Sequence, residues 1–281
     1  AEMQQNVRVA MELLAQDLKT AGFGMAGTVG NCATAIVPAD NTTGGADTGP
    51  DAVSVVVPTL LSTLSAQANG GPTATAITLQ PGAVAAMSPE GFGVSAVISV
   101  NGVLARNVTA IATDSLSVGT AIGAPAVFPV GTPIFWLRCI TYSIGTTAAA
   151  CAGSAPCLLR GGVAVAEGIE DLQLAYACDG CNGTVPDGII DDQNVSNTFD
   201  TADFISNNAW TASPTTPDTI RMVRLSIVAR QTQADSQWSS TAPIVAEDHD
   251  PTRDAGFVMA TYQQSRRRLL TRTVQARNLG L

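Results

Sequence analysis

One long periodic stretch, residues 2–22, reads EMQQNVRVAMELLAQDLKTAG. Its apolar residues recur at spacings of three and four, which places them on one stripe of an α-helix. They are Met3, Val7, Ala10, Leu14, Leu18 and Ala21. Gly22 follows at the position where glycine commonly ends a helix. No other stretch keeps a helical period over about five turns, so we expect the rest of the chain to form strands and loops that pack against this helix.

The composition favours a secreted, β-rich protein with many loops. The chain has 281 residues, of which 46% are hydrophobic and only 13% are charged, roughly half the charged share of an average domain. The formal net charge of −9 argues against nucleic acid as a general partner, because phosphate groups repel an acidic surface. No apolar run approaches the roughly 18 residues of a membrane span, and the first residues do not resemble a signal peptide.

Charges of opposite sign are concentrated in separate parts of the chain. Residues 161–220 contain ten acids and no Lys or Arg, whereas residues 266–281 contain five Arg and no acid. This segregation indicates either a bound cation in the acidic part or ion pairs between the two parts. Two separately solvated faces remain the alternative. We hypothesise that some C-terminal arginines pair with the acids of residues 161–220.

Six cysteines and a single histidine favour disulfides over a zinc site. An even number of cysteines in a chain poor in lysine is typical of an oxidising compartment. One pair has the Cys-x-x-Cys spacing of zinc ligands, so that alternative stays open. The disulfides that we expect are the local pairs Cys151–Cys157 and Cys178–Cys181, together with Cys32–Cys139.

Several segments have the composition or the alternation of β-strands. They are residues 51–58, 74–79, 94–100, 103–111, 115–119, 133–144, 158–160, 163–176, 219–231 and 269–277. Asn101-Gly102 is typical of a two-residue hairpin turn, and the last segment suits an edge strand with cationic side chains. The sequence therefore predicts an α+β fold, with the N-terminal helix packed on a large, mostly antiparallel β-sheet structure with long loops. We expect the helix, residues 1–24, and a β-rich head, residues 25–281, to form a single domain.

The acidic stretch at residues 178–194 has the character of a binding site. DGIID, residues 187–191, matches the second half of a calcium loop, in which glycine makes the sharp turn and aspartate supplies oxygen. The first half departs from that pattern, because Gly183 and Val185 stand where acids are expected. Calcium is the candidate cofactor; the alternative is an acidic, turn-rich loop that a disulfide holds without an ion. The candidate ligands are Asp179, Asn182, Asp187, Asp191 and Asp192.

Signals for catalysis are weak, and we expect that the chain is not an enzyme. His249 is the only histidine, and it lies in a polar stretch where a solvated turn is the commoner role. The sequence lacks the motifs of serine hydrolases, phosphate-binding loops and zinc peptidases. Glu167, Glu170 and Asp171 lie on a predicted strand, where exposure to solvent or pairing with arginine explains them more simply than paired catalytic carboxylates do.

The helix and three later patches carry a family resemblance. QNVRVAMELLAQDLKTAGF, residues 5–23, resembles the segment that follows the membrane helix in type IV pilus minor pilins of the PilW kind. Residues 167–176, residues 220–226 and the ending at 267–279 fit the same family in the same order. The N-terminal segment is also similar, more loosely, to the J-type minor pseudopilins of type II secretion.

This resemblance implies a pilin-like fold and a structural function. The chain would be a minor pilin that helps prime pilus assembly in a tip-associated complex, with other minor pilins and the major pilin as partners. Neither a nucleic acid nor a small-molecule substrate is implied. The implied assembly interface lies on the helix and consists of Met3, Val7, Ala10, Leu14 and Leu18.

The resemblance also implies a longer precursor, which an upstream apolar helix would anchor in the inner membrane. The protein would then be periplasmic during assembly and finally lie at the pilus or cell surface. Two alternatives stay open, a pseudopilin of type II secretion and a secreted or pilus-tip adhesin. Long Thr, Ser and Gly-rich loops at residues 38–50, 145–157 and 206–217 suit surface exposure and keep adhesion as a second role.

Overall fold

A computed structural model describes residues 2–41, 47–70, 74–123, 127–153, 155–183, 185–235, 237–239 and 242–276. Parts of the predicted loops 38–50 and 145–157, and the end of the C-terminal patch from residue 277, lie outside the described residues. Over the described ranges, no helix is both long enough and apolar enough to span a membrane.

Helix is confined to one long element and several short ones. α1 spans Glu2–Thr20 and closely matches the helix expected from the apolar stripe. α2 and α3 span Ala83–Met87 and Met259–Tyr262. Single turns of 3₁₀-helix occur at Ser88–Glu90, Thr201–Asp203, Pro217–Thr219 and Pro251–Arg253.

Strands account for most of the regular structure. They are β1 Ile36–Ala39, β2 Ala52–Thr63, β3 Ala68–Asn69, β4 Ala76–Thr78, β5 Val97–Val100, β6 Leu104–Ala112, β7 Ser115–Val118, β8 Val127–Phe128, β9 Pro133–Gly145, β10 Cys157–Arg160, β11 Val163–Glu167, β12 Ile169–Cys178, β13 Ile220–Arg230 and β14 Arg267–Gln275.

The predicted α+β, pilin-like class is wrong. Strand makes up 39% of the structure and helix only 16%, and the sheets are mostly antiparallel. The fold is therefore β-rich, with one short N-terminal helix. The apolar stripe of α1 is the strongest local pattern in the sequence, but α1 has only 19 residues. Most of the other ordered segments alternate with the period of strands, so strand outweighs helix.

The chain divides into two compact units. Unit 1 contains Ala1–Thr20, Ile36–Val55 and Ile140–Leu281, and unit 2 contains Ala21–Ala35 and Val56–Cys139. β2 and β9 each contribute residues to both units. That the helix at residues 1–24 and the β-rich head form a single domain stays a prediction.

In unit 1, β12, β13 and β14 form a three-stranded antiparallel sheet with β13 in the centre. Leu225 in β13 lies opposite Leu174 in β12 and opposite Arg272 in β14. β14 is an edge strand of this sheet, which confirms the prediction for the last strand. α1 contacts β13 and β14.

Shorter antiparallel pairings complete unit 1. β1 pairs with the first residues of β2, from Ile36 opposite Val55 to Ala39 opposite Ala52. β10 pairs on one side with the last residues of β9 and on the other side with β11. These pairings place the ends of β9 and β10 side by side.

Unit 2 has an apolar core of its own, which includes the fully buried side chains of Ile98, Leu116 and Ile134. β6 pairs with β5 and β7, and β7 pairs with β4. β5 and β6 are joined by the predicted hairpin turn at Asn101-Gly102. The connection has three residues, 101–103, one more than the predicted two-residue turn. Asn101 and Gly102 at its centre have positive φ, 54° and 74°, and the N–H of Val103 donates to the carbonyl of Val100 at 3.1 Å.

The three disulfides join the pairs that the sequence favours. They are Cys32–Cys139 in unit 2 and Cys151–Cys157 and Cys178–Cys181 in unit 1. The zinc alternative for the Cys-x-x-Cys pair does not hold in this structure, because zinc takes thiolate sulfur and these sulfurs are bonded to each other.

Candidate functional site

A buried polar contact holds the C-terminal half of α1 in unit 1. Asp17 is only 6% exposed, and its Oδ2 accepts hydrogen bonds from Tyr142 Oη at 2.6 Å and from Arg160 Nε at 2.9 Å. Arg160 Nη2 lies 2.8 Å from the same oxygen and completes an ion pair. Burial, together with Asp17, raises the pKa of Tyr142 well above its usual range, so its hydroxyl remains a donor. The contact fixes α1 to the ends of β9 and β10.

The sequence carries a signal for this contact. Asp17 lies beside Leu18 and three residues after Leu14, so it falls on the apolar stripe of the helix. A charge in such a position is costly unless it is paired, which predicts a buried partner. The sequence does not identify that partner, because Tyr142 and Arg160 lie 125 and 143 residues farther along the chain.

Most of the predicted assembly interface on α1 lies inside the fold. Val7, Ala10, Leu14 and Leu18 are buried, and Met3 is half-buried. A side chain that the chain's own core covers is not available to a partner, so the four buried residues serve as core in this structure. The helix face that stays exposed carries Gln5, Val9, Glu12 and Gln16.

The predicted calcium ligands lie in a loop organised by its own hydrogen bonds. Asp179 is buried, and its two oxygens accept hydrogen bonds from the backbone N–H groups of Asp187 at 2.9 Å and Gly188 at 3.1 Å. Arg221 Nε lies 3.6 Å from Asp179 Oδ2. The carboxylate therefore closes the loop and faces a cation of the protein itself.

Two neighbouring carboxylates act in the same way. Asp191 Oδ2 accepts hydrogen bonds from the backbone of Gly180 at 2.9 Å and of Asn182 at 3.1 Å, across the turn that the disulfide closes. Asp192 Oδ1 accepts backbone hydrogen bonds from Asn194 and Ser196, both at 3.1 Å. These side chains stabilise turns, as aspartate often does in loops.

The loop carboxylates do not converge on one point in the part of the chain that the structure describes. Calcium needs six to eight oxygens directed toward it, whereas oxygens of Asp179, Asp191 and Asp192 are directed toward backbone N–H groups. Binding of calcium by this loop stays a prediction, and the described hydrogen bonds suit the alternative of a loop held without an ion.

Three other carboxylates converge in unit 1. Asp40, Asp47 and Asp248 each place one oxygen within 4.8 Å of the other two. Asp47 is buried, and the other two are half-buried. A backbone bridge between Asp47 and His249 brings the two segments together. Both segments are polar and read as surface loops in the sequence, so no local signal predicts this cluster.

The cluster places negative charges close together away from water. Burial raises the pKa of Asp47 to about 6, and repulsion from Asp248 and Asp40 adds to this increase. His249 and Gln173 lower the same pKa by less. Burial also raises the pKa of Asp248. The group would be more stable with additional positive charge.

His249 does not occupy the solvated turn expected from the sequence. It is only 3% exposed, and its ring lies between two carboxylates. Nδ1 is 2.8 Å from Asp171 Oδ2, and Nε2 is 2.9 Å from Asp254 Oδ1. Burial by itself lowers the pKa of His249, but the hydrogen bonds and charges of Asp171 and Asp254 outweigh burial and raise it to about 9. The ring is therefore cationic at neutral pH, and both nitrogens donate.

A cavity of about 140 Å³ adjoins this histidine. Its described lining consists of Glu170, Asp171, Val228, Ile244, His249, Pro251, Asp254, Phe257 and Tyr262. Within that lining there is no serine, threonine or cysteine that a histidine–aspartate pair could activate as a nucleophile. The arrangement suits a role in holding loops together.

The predicted pairing of C-terminal arginines with acids of residues 161–220 is confirmed. Arg267 Nε donates a hydrogen bond to Glu170 and forms an ion pair with it. A second C-terminal arginine pairs outside that range, since Arg272 Nη1 lies 2.6 Å from Glu12 Oε1. The arginines of β14 thus contact both β12, the far strand of the same sheet, and the helix α1.

Comparison with known proteins identifies a related family. The family model described as Type IV Pilus-assembly protein W matches residues 147–278. The match contains β10 to β14 and covers three of the four patches that suggested this family, the last of them up to residue 278. It confirms the resemblance and supports a role related to type IV pilus assembly. The helical segment 5–23 lies outside the matched residues. Neither the curated proteins nor the solved structures compared with the chain match it.

Proposed function

We propose that this chain, whose residues 147–278 match the family model described as Type IV Pilus-assembly protein W, is a structural minor pilin subunit. In this role it helps prime pilus assembly as part of a tip-associated complex of minor pilins. The observation that carries the proposal is the family match across the sheet of β12, β13 and β14. The chain acts through contacts with other subunits and not as an enzyme.

Two exposed features of unit 1 suit contacts with other pilins. The first is the free face of α1, on which Val9 is 47% exposed. The second is the outer edge of β14, which has no strand partner within the described residues. An edge strand and an exposed helix face are surfaces that other chains commonly add to. The partners are other minor pilins and the major pilin, met in the periplasm and then at the pilus surface.

Deletion of the gene in the organism that encodes the chain tests the function. We expect surface pili to be lost, measured as major pilin in the sheared fraction, while the cell still contains the major pilin. Expression of the full-length gene should restore the pili. Unchanged piliation would overturn the proposal. Loss of type II secretion with normal pili would indicate a pseudopilin, and loss of adhesion with normal pili would indicate an adhesin.

A pair of valine variants tests the helix face separately. Val9→Arg places a charge on the exposed face of α1 and should reduce both piliation and co-purification with the other minor pilins. Val163→Arg is the matched control, because Val163 is also exposed, at 67%, but lies on β11. Equal piliation in the two variants would argue against the helix face as an assembly surface.

A further inference from the structure

We propose that Asp40, Asp47 and Asp248 bind one divalent metal ion, with calcium as the expected ion. The site lies in unit 1 and is separate from the calcium loop predicted at residues 178–194. It goes beyond the pilus function proposed above and does not depend on it.

The spacing of the three carboxylates suits a single ion. One oxygen of each residue lies within 4.8 Å of the corresponding oxygens of the other two. Calcium binds oxygen at about 2.3–2.6 Å, so ligands on opposite sides of the ion are about 4.6–5.2 Å apart. Three oxygens inside that limit can all contact one ion placed between them.

Asp47 supplies the observation that points to a ligand. Its side chain is fully buried, at 0% exposed, and yet among the described residues neither of its oxygens has a partner in good hydrogen-bond geometry. The two oxygens of Asp248 are also buried and have no partner in good hydrogen-bond geometry among the described residues, although Ser206 lies near enough to lower the pKa of this carboxyl. Among the described residues, no Lys or Arg forms an ion pair with either side chain. A buried carboxylate normally faces a cation or several donors, so a bound metal ion would supply what the chain does not.

One buried amide adjoins the cluster, that of Gln173. Its side chain is fully buried and lies beside Asp47. Nε2 donates to the carbonyl of Gly49 at 3.1 Å and to Asp171 Oδ1 at 2.9 Å, whereas Oε1 has no hydrogen-bond partner. Calcium commonly combines carboxylates with amide oxygens, backbone carbonyls and water. Backbone carbonyls and water would complete the coordination of the ion.

The turn at residues 246–249, which carries one of the three carboxylates, is held in place before any ion binds. Ala246 and His249 exchange two backbone hydrogen bonds, at 3.1 Å and 2.9 Å. Glu247 forms an ion pair with Arg224, which fixes the turn to β13. A ligand on a fixed turn loses little conformational freedom when the ion binds, which favours affinity.

The donor set selects a hard cation. All candidate ligand atoms are oxygens, and the nearby nitrogens of His249 are occupied by Asp171 and Asp254. Zinc prefers nitrogen and sulfur, so it is disfavoured here. Magnesium requires a nearly ideal octahedron, whereas calcium accepts irregular arrangements of oxygens. Calcium is the better match to ligands drawn from separate loops.

Calorimetric titration of the purified full chain with calcium, after treatment with a chelator, tests the proposal. We expect one saturable site with a dissociation constant of about 10⁻⁴–10⁻³ M, the range of extracellular calcium modules. At 10 mM calcium the melting temperature should rise by about 3–8 °C. Magnesium at the same concentration and ionic strength should give less than half of this shift. A lack of saturable binding, or an equal shift with magnesium, would overturn the proposal.

Three asparagine variants locate the site. Asp47→Asn and Asp248→Asn should each weaken calcium binding by at least tenfold. In chelator neither should lower the melting temperature, because each removes repulsion between like charges. The control is the double variant Asp187→Asn, Asp192→Asn in the 178–194 loop, which should bind calcium as the unchanged chain does. Loss of binding in the control, or full binding in the cluster variants, would place the ion elsewhere. If circular dichroism shows that Asp47→Asn is unfolded, the calcium affinity of Asp248→Asn alone tests the site, because Asp248 is only half-buried.

Discussion

Asp17 carries a charge on a helix face that is otherwise apolar, and its partners determine where α1 is held. Tyr142 and Arg160 both donate to the same carboxylate oxygen. A hydrogen bond to a charged group contributes more than a neutral one, and its loss leaves the partners without compensation. The geometry makes this carboxylate more important for stability than the exposed charges of the helix.

Replacement of this charge should destabilise the protein. We expect Asp17→Asn to lower the free energy of unfolding by about 1–3 kcal/mol, because Arg160 loses its ion pair while it is partly buried. Urea unfolding followed by circular dichroism measures the change. Glu12→Gln is the control, since Glu12 pairs with Arg272 but its side chain is 72% exposed and such pairs contribute about 0–1 kcal/mol. If both variants lose a similar amount of unfolding free energy, the buried contact of Asp17 is no more stabilising than the exposed ion pair of Glu12.

The charge on His249 should make stability depend on pH. Its pKa is about 9 in the folded protein and about 6.5 in an unfolded chain. Between these values the folded state binds more protons, so this contribution is complete below about pH 6.5 and is lost as the pH rises through about 9. The urea midpoint, measured with a chelator present, should therefore fall between pH 6 and pH 9.5. His249→Gln should reduce that fall. If the urea midpoint of the variant falls with pH as steeply as that of the unchanged chain, the ion pairs of His249 with Asp171 and Asp254 do not stabilise the fold.

The β5–β6 hairpin is a case in which local chemistry and long-range packing both require the same residue. Gly102 has φ of 74°, a conformation that its turn requires. A Cβ at this position would lie 2.3 Å from Phe23 Cζ. The Asn-Gly pair in the sequence indicates that Gly102 needs a positive φ. Only the packing in unit 2 shows that a Cβ at this position would also collide with Phe23.

Two glycine variants separate backbone strain from packing. Gly82 also has positive φ, 83°, but a Cβ at this position would have no other atom within 4 Å. Gly82→Ala should cost about 1 kcal/mol, the typical cost of a left-handed alanine. Gly102→Ala should cost about 2–4 kcal/mol, because the ring of Phe23 must also move away from Phe135. Thermal unfolding measures the stability of both variants. If the two variants lower the melting temperature equally, the ring of Phe23 moves aside without cost.

The disulfides stabilise segments of very different length. Cys32–Cys139 joins residues 107 apart, whereas Cys151–Cys157 joins residues only 6 apart. A cross-link that closes a longer segment removes more conformational entropy from the unfolded chain. The long-range bond should therefore contribute more to the stability of its unit than the local bond does.

Paired alanine variants test this order. Cys32→Ala with Cys139→Ala should cost about 4–5 kcal/mol, and Cys151→Ala with Cys157→Ala about 2 kcal/mol, if loss of chain entropy is the main effect. Denaturant unfolding of the two double variants measures the difference. A larger loss from the short-range pair would mean that local packing around that disulfide outweighs the entropy of the unfolded chain.

Much of the local structure could be predicted from the sequence. The C-terminal end of α1, the hairpin at Asn101-Gly102 and the strands β9 and β13 follow from periodicity and turn chemistry, which act over neighbouring residues. The fold class could not be predicted in the same way. The helical stripe of residues 2–22 is the clearest pattern, but the share of helix and strand depends on all the strands that the described residues form.

The sequence by itself determined where α1 ends, which segments extend and which cysteines lie close enough to pair locally, because each of these depends on spacings of a few residues. Tertiary structure alone decided that Asp47 meets Asp248, that His249 is buried between two carboxylates and that Asp17 contacts Tyr142. These residues lie far apart in the chain, and only the path of the backbone brings them together. The helical stripe remains the chain's clearest local pattern, but Val7, Ala10, Leu14 and Leu18 on it are buried inside unit 1.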